Sequence, residues 1–124
     1  MSMKQIMVVD DEPAMALLIK RIFADEFEVT GAESGSSALK LVEKGMPDLV
    51  LLDIMMPRMD GWEFLERFKR IKGTEKIPVV VLSARSQASE VLSGLAVRGV
   101  VDYVTKPFDK EDLRKRIREA LKIG

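Results

Sequence analysis

An α/β fold, with five parallel strands in one sheet and helices on both faces, is what this sequence predicts. Two observations carry that expectation. The first is a set of short apolar runs, such as Leu49-Val50-Leu51-Leu52 and Val79-Val80-Val81-Leu82, with no polar interruption. Such runs mark strands buried on both faces, as in a parallel sheet. The second is that the runs alternate with segments whose apolar residues recur at helical spacing, which implies parallel strands joined by crossover helices. The length of 124 residues fits one domain, residues 1–124, with one packed interior.

The elements follow in chain order. Ile6-Met7-Val8-Val9 is a buried strand ending in Asp10-Asp11-Glu12. Pro13 suits the first turn of a helix, and an acid before it suits the positive helix end. That helix runs to about residue 24, with Met15, Leu18, Ile19 and Ile22 on one face. Phe27 and Val29 alternate with Glu28 and Thr30 in a less buried strand, and residues 31–36 form a loop. A second helix carries Ala38, Leu41 and Val42, and Gly45 ends it. The central strand then stops at Asp53, where Pro57 keeps the next residues out of a helix. Asp60-Gly61 begins a third helix striped by Phe64, Leu65, Phe68 and Ile71, which Gly73 and Thr74 break. The fourth strand ends at Ser83-Ala84-Arg85, and a weaker helix over 86–97 turns Ala88, Val91, Leu92 and Leu95 inward before Gly99. Val100-Val101-Asp102-Tyr103-Val104 is the fifth strand, ending in Thr105-Lys106-Pro107. Asp109 caps a last helix with Leu113, Ile117 and Leu121 inward. Right-handed crossovers leave few arrangements. With the most apolar strands central and the Phe27 strand at an edge, the flavodoxin-like (βα)5 order 2-1-3-4-5 fits best.

Composition narrows the chemistry. Lys plus Arg equals Asp plus Glu at 20 each, so net charge points to no nucleic-acid partner. The absence of Cys excludes disulfides and thiolate sites. The absence of His removes the usual general base, the commonest transition-metal ligand and any phosphohistidine on this chain. The sequence shows neither a signal-peptide pattern nor an apolar run approaching about 18 residues, so no membrane partner is expected and the cytoplasm is the expected location.

The residues that follow the strands form a constellation. Strand one delivers Asp10 and Asp11, strand three Asp53, strand four Ser83 and strand five Lys106, all on one rim of the sheet. Neighbouring strands lie about 4.8 Å apart, so strands one and three put the three aspartates in one pocket. Each has an ordinary alternative: a helix cap at Asp11 or Glu12, a turn at Asp53, a cap at Ser83, a solvated lysine at Lys106. Their coincidence on one rim favours function. Three carboxylates that close repel unless a proton or a cation intervenes. Oxygen ligands alone suit a hard cation, Mg²⁺ or Mn²⁺. Lys106 precedes Pro107, a pair that can adopt a cis bond and so turn the lysine head into the pocket. Metal, carboxylate, ammonium and hydroxyl together suit phosphoryl transfer, with Asp53 as nucleophile, Lys106 on one phosphate oxygen and Ser83 on another.

On these residues the chain resembles the receiver domain of two-component response regulators. The matching pieces are Val8-Val9-Asp10-Asp11-Glu12, Leu51-Leu52-Asp53, Met56-Pro57-Arg58-Met59-Asp60-Gly61, Leu82-Ser83-Ala84 and Lys106-Pro107-Phe108. The resemblance implies Mg²⁺-dependent phosphorylation of Asp53, with Asp10, Asp11, Asp53 and the Met55 backbone carbonyl on the metal. Where the family often has Thr, this chain has Ser83, which keeps the hydroxyl. Tyr103 matches the aromatic switch position, which turns inward as Ser83 moves to the phosphate and remodels the face of helix four, strand five and helix five. Met55 and Arg85 occupy the positions that flank attacking water. Met55 offers that water no good hydrogen bond and Arg85 is long enough to shield the phosphate, so slow self-dephosphorylation is expected.

The expected function is therefore a phosphoacceptor switch rather than an enzyme in the ordinary sense. Its donor is a sensor histidine kinase, a phosphotransfer protein or a small acyl phosphate, and its output is another protein. Three readings compete. An aspartyl phosphatase resembles an Asp-x-Asp pattern, but position 55 is Met. A flavodoxin needs a phosphate-accepting loop after strand one, where this chain has three acids. A receiver-like binding module would never be phosphorylated. Other conspicuous residues read as packing or surface: Trp62 off its helix stripe, Met55, Met56 and Met59 as packing, and Arg114, Lys115, Arg116, Arg118 and Lys122 at the negative end of the last helix.

Overall fold

A computed structural model describes residues 3–54, 61–83 and 99–123. Its elements are β1 (Lys4–Val9), α1 (Pro13–Ile22), β2 (Phe27–Ala32), α2 (Gly35–Lys44), β3 (Leu49–Leu52), α3 (Gly61–Arg70), β4 (Val79–Ser83), β5 (Val100–Thr105) and a C-terminal helix (Lys110–Leu121). All strand pairs are parallel and their order is β2-β1-β3-β4-β5, as the alternation of apolar runs and helices predicts. The helix expected over 86–97 lies outside the described residues, as do Met55 and Arg85.

The sheet divides the interior into two layers because successive strand side chains point to opposite faces. Met7, Val9, Val50, Leu52, Val79 and Val81 pack with Ala38 and Val42 of α2 and with Phe64, Leu65 and Phe68 of α3. Ile6, Val8, Leu49, Leu51, Val80 and Leu82 pack with Ile19 of α1, with Phe23, and with Leu113 and Ile117 of the C-terminal helix. Trp62 is half-buried against the first layer.

Several boundaries differ from expectation for tertiary reasons. The strand at the Phe27 edge continues through Gly31 and Ala32, which pair with Val8 and Val9 of β1, so residues 31 and 32 are not loop. Helix α2 starts at Gly35, inside the expected loop, because Ser34 and Ser37 form a reciprocal capping box. Helix α1 stops at Ile22, with Phe23 closing its last turn. On α1 only Ile19 is buried, and Leu18 is 44% exposed, so the apolar stripe is not all core. The basic residues of the C-terminal helix do more than offset its dipole. Arg114 pairs with Glu26 at 3.1 Å and with Glu111, and its guanidinium lies over the Phe23 ring. Arg116 bridges Asp102 of β5 at 2.7 Å and Asp112 at 2.9 Å. Asp109 caps this helix as expected, accepting from the Asp112 N–H.

Candidate functional site

The site is built where β1 and β3 end side by side. Val9 pairs with Leu52, so Asp10 and Asp53 leave adjacent strands at one level. The Asp53 N–H donates to the Val9 carbonyl at 2.9 Å, and the Asp10 N–H donates to the Ala32 carbonyl at 3.0 Å. Both aspartates are buried, Asp10 at 3% and Asp53 at 7% exposure, while Asp11 is exposed. One carboxylate oxygen from each of Asp10, Asp11 and Asp53 lies within 4.8 Å of the others.

Lys106 enters this cluster from the end of β5. Its Nζ donates to Asp10 Oδ2 at 2.8 Å and lies 3.5 Å from Asp53 Oδ2. The Lys106–Pro107 peptide bond is cis. Burial alone would pull the lysine pKa down. The hydrogen bond Lys106 donates to Asp10 and the negative charges of Asp53, Asp10 and Glu12 outweigh burial, and the net effect is to raise it above 10.5. Asp10 is held a second time, because its Oδ1 accepts from the Glu12 N–H at 2.9 Å. Glu12 occupies the N-cap position of α1, yet its side chain makes no capping bond. The Glu12 carboxylate is therefore not spent on capping.

Among the described residues three carboxylates face one ammonium, an excess of negative charge in a partly desolvated pocket. An all-oxygen donor set of this kind, in a chain without His or Cys, fits Mg²⁺ or Mn²⁺. Asp10, Asp11 and Asp53 are the residues that would hold it.

The other expected residues are placed as follows. Ser83 ends β4 and pairs with Thr105, one residue before Lys106, which puts its backbone on the same rim. Tyr103 pairs with Val81 and is half-buried against the α2–α3 layer. The Met55 carbonyl and the Met55 and Arg85 side chains fall outside the described residues. Two features escaped the sequence reading. An apolar groove of about 640 Å³ lies beside Lys106, lined by Met15, Leu18, Ile22, Pro107 and Phe108. Helical spacing shows that Met15, Leu18 and Ile22 share a face but not that this face is left open. The second is Gly61, whose N–H donates to the Ile54 carbonyl at 2.9 Å.

Comparison with known proteins agrees with this geometry. The response regulator receiver domain family matches residues 6–118. The phosphate regulon transcriptional regulatory protein PhoB of Rhizobium meliloti is 37% identical over 95% of this chain and 52% of its own length. The chain spans about half the length of the first curated relatives it matches. Among solved structures, the chemotaxis protein CheY4 of Vibrio cholerae superposes with a TM-score of 0.88 at 26% identity, covering 96% of this chain and 99% of that one. The response regulator TrrA of Thermotoga maritima, solved in complex with Mg²⁺ and BeF, superposes with a TM-score of 0.81 at 34% identity, covering 95% and 99%. With a family match from Ile6 to Arg118 and an acid pocket at the rim of a 2-1-3-4-5 sheet, this chain belongs to the response regulator receiver domain family.

Proposed function

We propose that this chain is a signalling switch that accepts a phosphoryl group on Asp53. The observation that carries the reading is the Asp53 carboxylate, buried on the rim with Asp10 and Asp11 within 4.8 Å and the Lys106 ammonium at 3.5 Å. A carboxylate oxygen of Asp53 attacks phosphorus, the bond from phosphorus to the donor's nitrogen or oxygen breaks, and the leaving group keeps the electron pair. Lys106 can move from Asp10 toward a phosphate oxygen with little travel, and the Ser83 hydroxyl takes another. Asp10, Asp11, Asp53 and, as the family resemblance implies, the Met55 carbonyl would hold a Mg²⁺ or Mn²⁺ ion, which would supply the charge neutralisation that phosphoryl transfer demands.

Receiver domains take phosphate from histidine kinases or phosphotransfer proteins, and a chain without His needs such a donor or a small acyl phosphate. Lys106, 3.5 Å from Asp53, also lines the apolar groove, which would offer a protein donor a surface to rest on. The face carrying Tyr103 and the C-terminal helix then changes and binds an output protein. Any contact with nucleic acid would belong to a segment outside the match, since the relatives named as transcriptional regulators are about twice as long. No helix among the described residues is long and apolar enough to cross a membrane.

The test is intact mass after incubation with acetyl phosphate or phosphoramidate and Mg²⁺. Native protein should gain one phosphate and Asp53→Asn should gain none; no adduct on native protein with any donor refutes the reading. The lifetime is also expected to follow from position. Met55→Asn combined with Arg85→Glu should lose phosphate faster than native protein, and equal or slower loss would refute the roles given to those side chains.

A further inference from the structure

We propose that Gly61 is a positioning residue for phosphoryl transfer at Asp53, an inference that rests on the function proposed above. A Cβ on Gly61 would lie 2.5 Å from the Ile54 Cα, 2.9 Å from the Asp53 carbonyl oxygen and 2.9 Å from Ile54 Cδ1. Gly61 is not required here for a left-handed backbone, unlike Gly73 at φ +98 and Gly99 at φ +81. It is required because the first turn of α3 is pressed against the backbone that carries the nucleophile. Two of the three atoms in the way are main chain, so no side-chain rotation relieves the overlap. Ordinary contact between carbon atoms is about 3.5–4.0 Å, so any side chain must push α3 and the Asp53–Ile54 backbone apart by about 1 Å.

The contact also has a direction. The Asp53 N–H is held by the Val9 carbonyl on the β1 side, and the Gly61 N–H holds the Ile54 carbonyl on the α3 side. The nucleophile's backbone is thus gripped from both flanks, by the strand that delivers Asp10 and Asp11 and by the helix that starts at Gly61. The grip on the α3 side sets how far the Asp53 carboxylate stands from the carboxylates of Asp10 and Asp11. Misplacement of a reacting group by about 1 Å can cost about a hundredfold. A metal held among Asp10, Asp11 and Asp53 would be the most sensitive probe of that spacing.

The test compares Gly61→Ala with Gly73→Ala, where the added Cβ would lie 3.0 Å from Met46 Cε on a backbone at φ +98, past the opposite end of α3 from Asp53. Both substitutions should lower the melting temperature. Phosphorylation by phosphoramidate is then followed against Mg²⁺ concentration. In Gly61→Ala the half-saturating Mg²⁺ should rise by about tenfold or more, while in Gly73→Ala it stays at the native value. An unchanged half-saturating Mg²⁺ in a folded Gly61→Ala, or an equal rise in Gly73→Ala, overturns the proposal. Native protein that takes no phosphate at any Mg²⁺ concentration instead overturns the function itself. If Gly61→Ala does not fold, the native protein decides the matter. On titration with Mg²⁺ the Gly61 amide resonance should shift with the same midpoint as that of Asp53, and an unmoved Gly61 amide overturns the proposal.

Discussion

Metal-free Lys106→Met is expected to be less stable than native protein by about 3–5 kcal/mol, the usual cost of removing one partner from a buried ion pair. Lys106 offsets Asp10, which is 3% exposed, and stands 3.5 Å from Asp53. Methionine keeps the bulk and deletes the charge, leaving three clustered acids without that ammonium. Urea unfolding in EDTA should show the loss, and Mg²⁺ should restore more stability to the variant than it adds to native protein. An unchanged midpoint in EDTA would mean that the ammonium is not the charge that holds the pocket together. The same lysine sets a pH dependence. Its pKa is raised in the folded state, so its contribution is complete below 10.5 and is lost as pH climbs through the raised value. Native protein should therefore lose stability above pH 10.5 along a limb that is flattened in Lys106→Met.

The second large effect concerns Asp53. With one ammonium shared between Asp10 and Asp53, the three clustered carboxylates still repel one another in metal-free protein. At an effective dielectric of about 20, unit charges at this range repel by on the order of 3 kcal/mol. Asp53→Asn removes one of those charges with little change in volume, so in EDTA it should melt several degrees above native protein. Mg²⁺ at a hundred times its Kd should stabilise native protein by about 2.7 kcal/mol, beyond a matched monovalent salt control, and the variant by much less. A neutral or lower melting temperature for Asp53→Asn in EDTA, or no specific Mg²⁺ shift in native protein, would mean the acids do not act as one cluster.

Most of the frame was legible because it rests on local patterns. Four unbroken apolar residues before Asp53 announce a strand buried on both faces, and that burial is what the ladder from Val9 to Leu52 shows. The acids were legible by the same route, since a parallel sheet sends all its strand ends to one rim. What escaped depends on partners distant in the chain. Gly31 and Ala32 have no strand pattern of their own and are recruited by Val8 and Val9. Leu18 sits at a helical interval that suits the core, but the helix is rolled so that Ile19 fills it instead. Arg114 and Arg116 read as helix-end charges because Glu26 and Asp102, their partners across the fold, are 88 and 14 residues away. Gly61 looked like a helix start, and only the packed structure shows its closeness to the Asp53 carbonyl.

The bond between Lys106 and Asp10 joins residues 96 apart in sequence. A chain being synthesised therefore lays down its acids early and carries them without their countercharge until β5 has emerged. If the proposed phosphorylation holds, competence to take phosphate would report on completed folding. A nascent or truncated chain that stops short of Lys106 holds the three acids but lacks the cation that steadies them, so the pocket is complete only when β5 has joined the sheet.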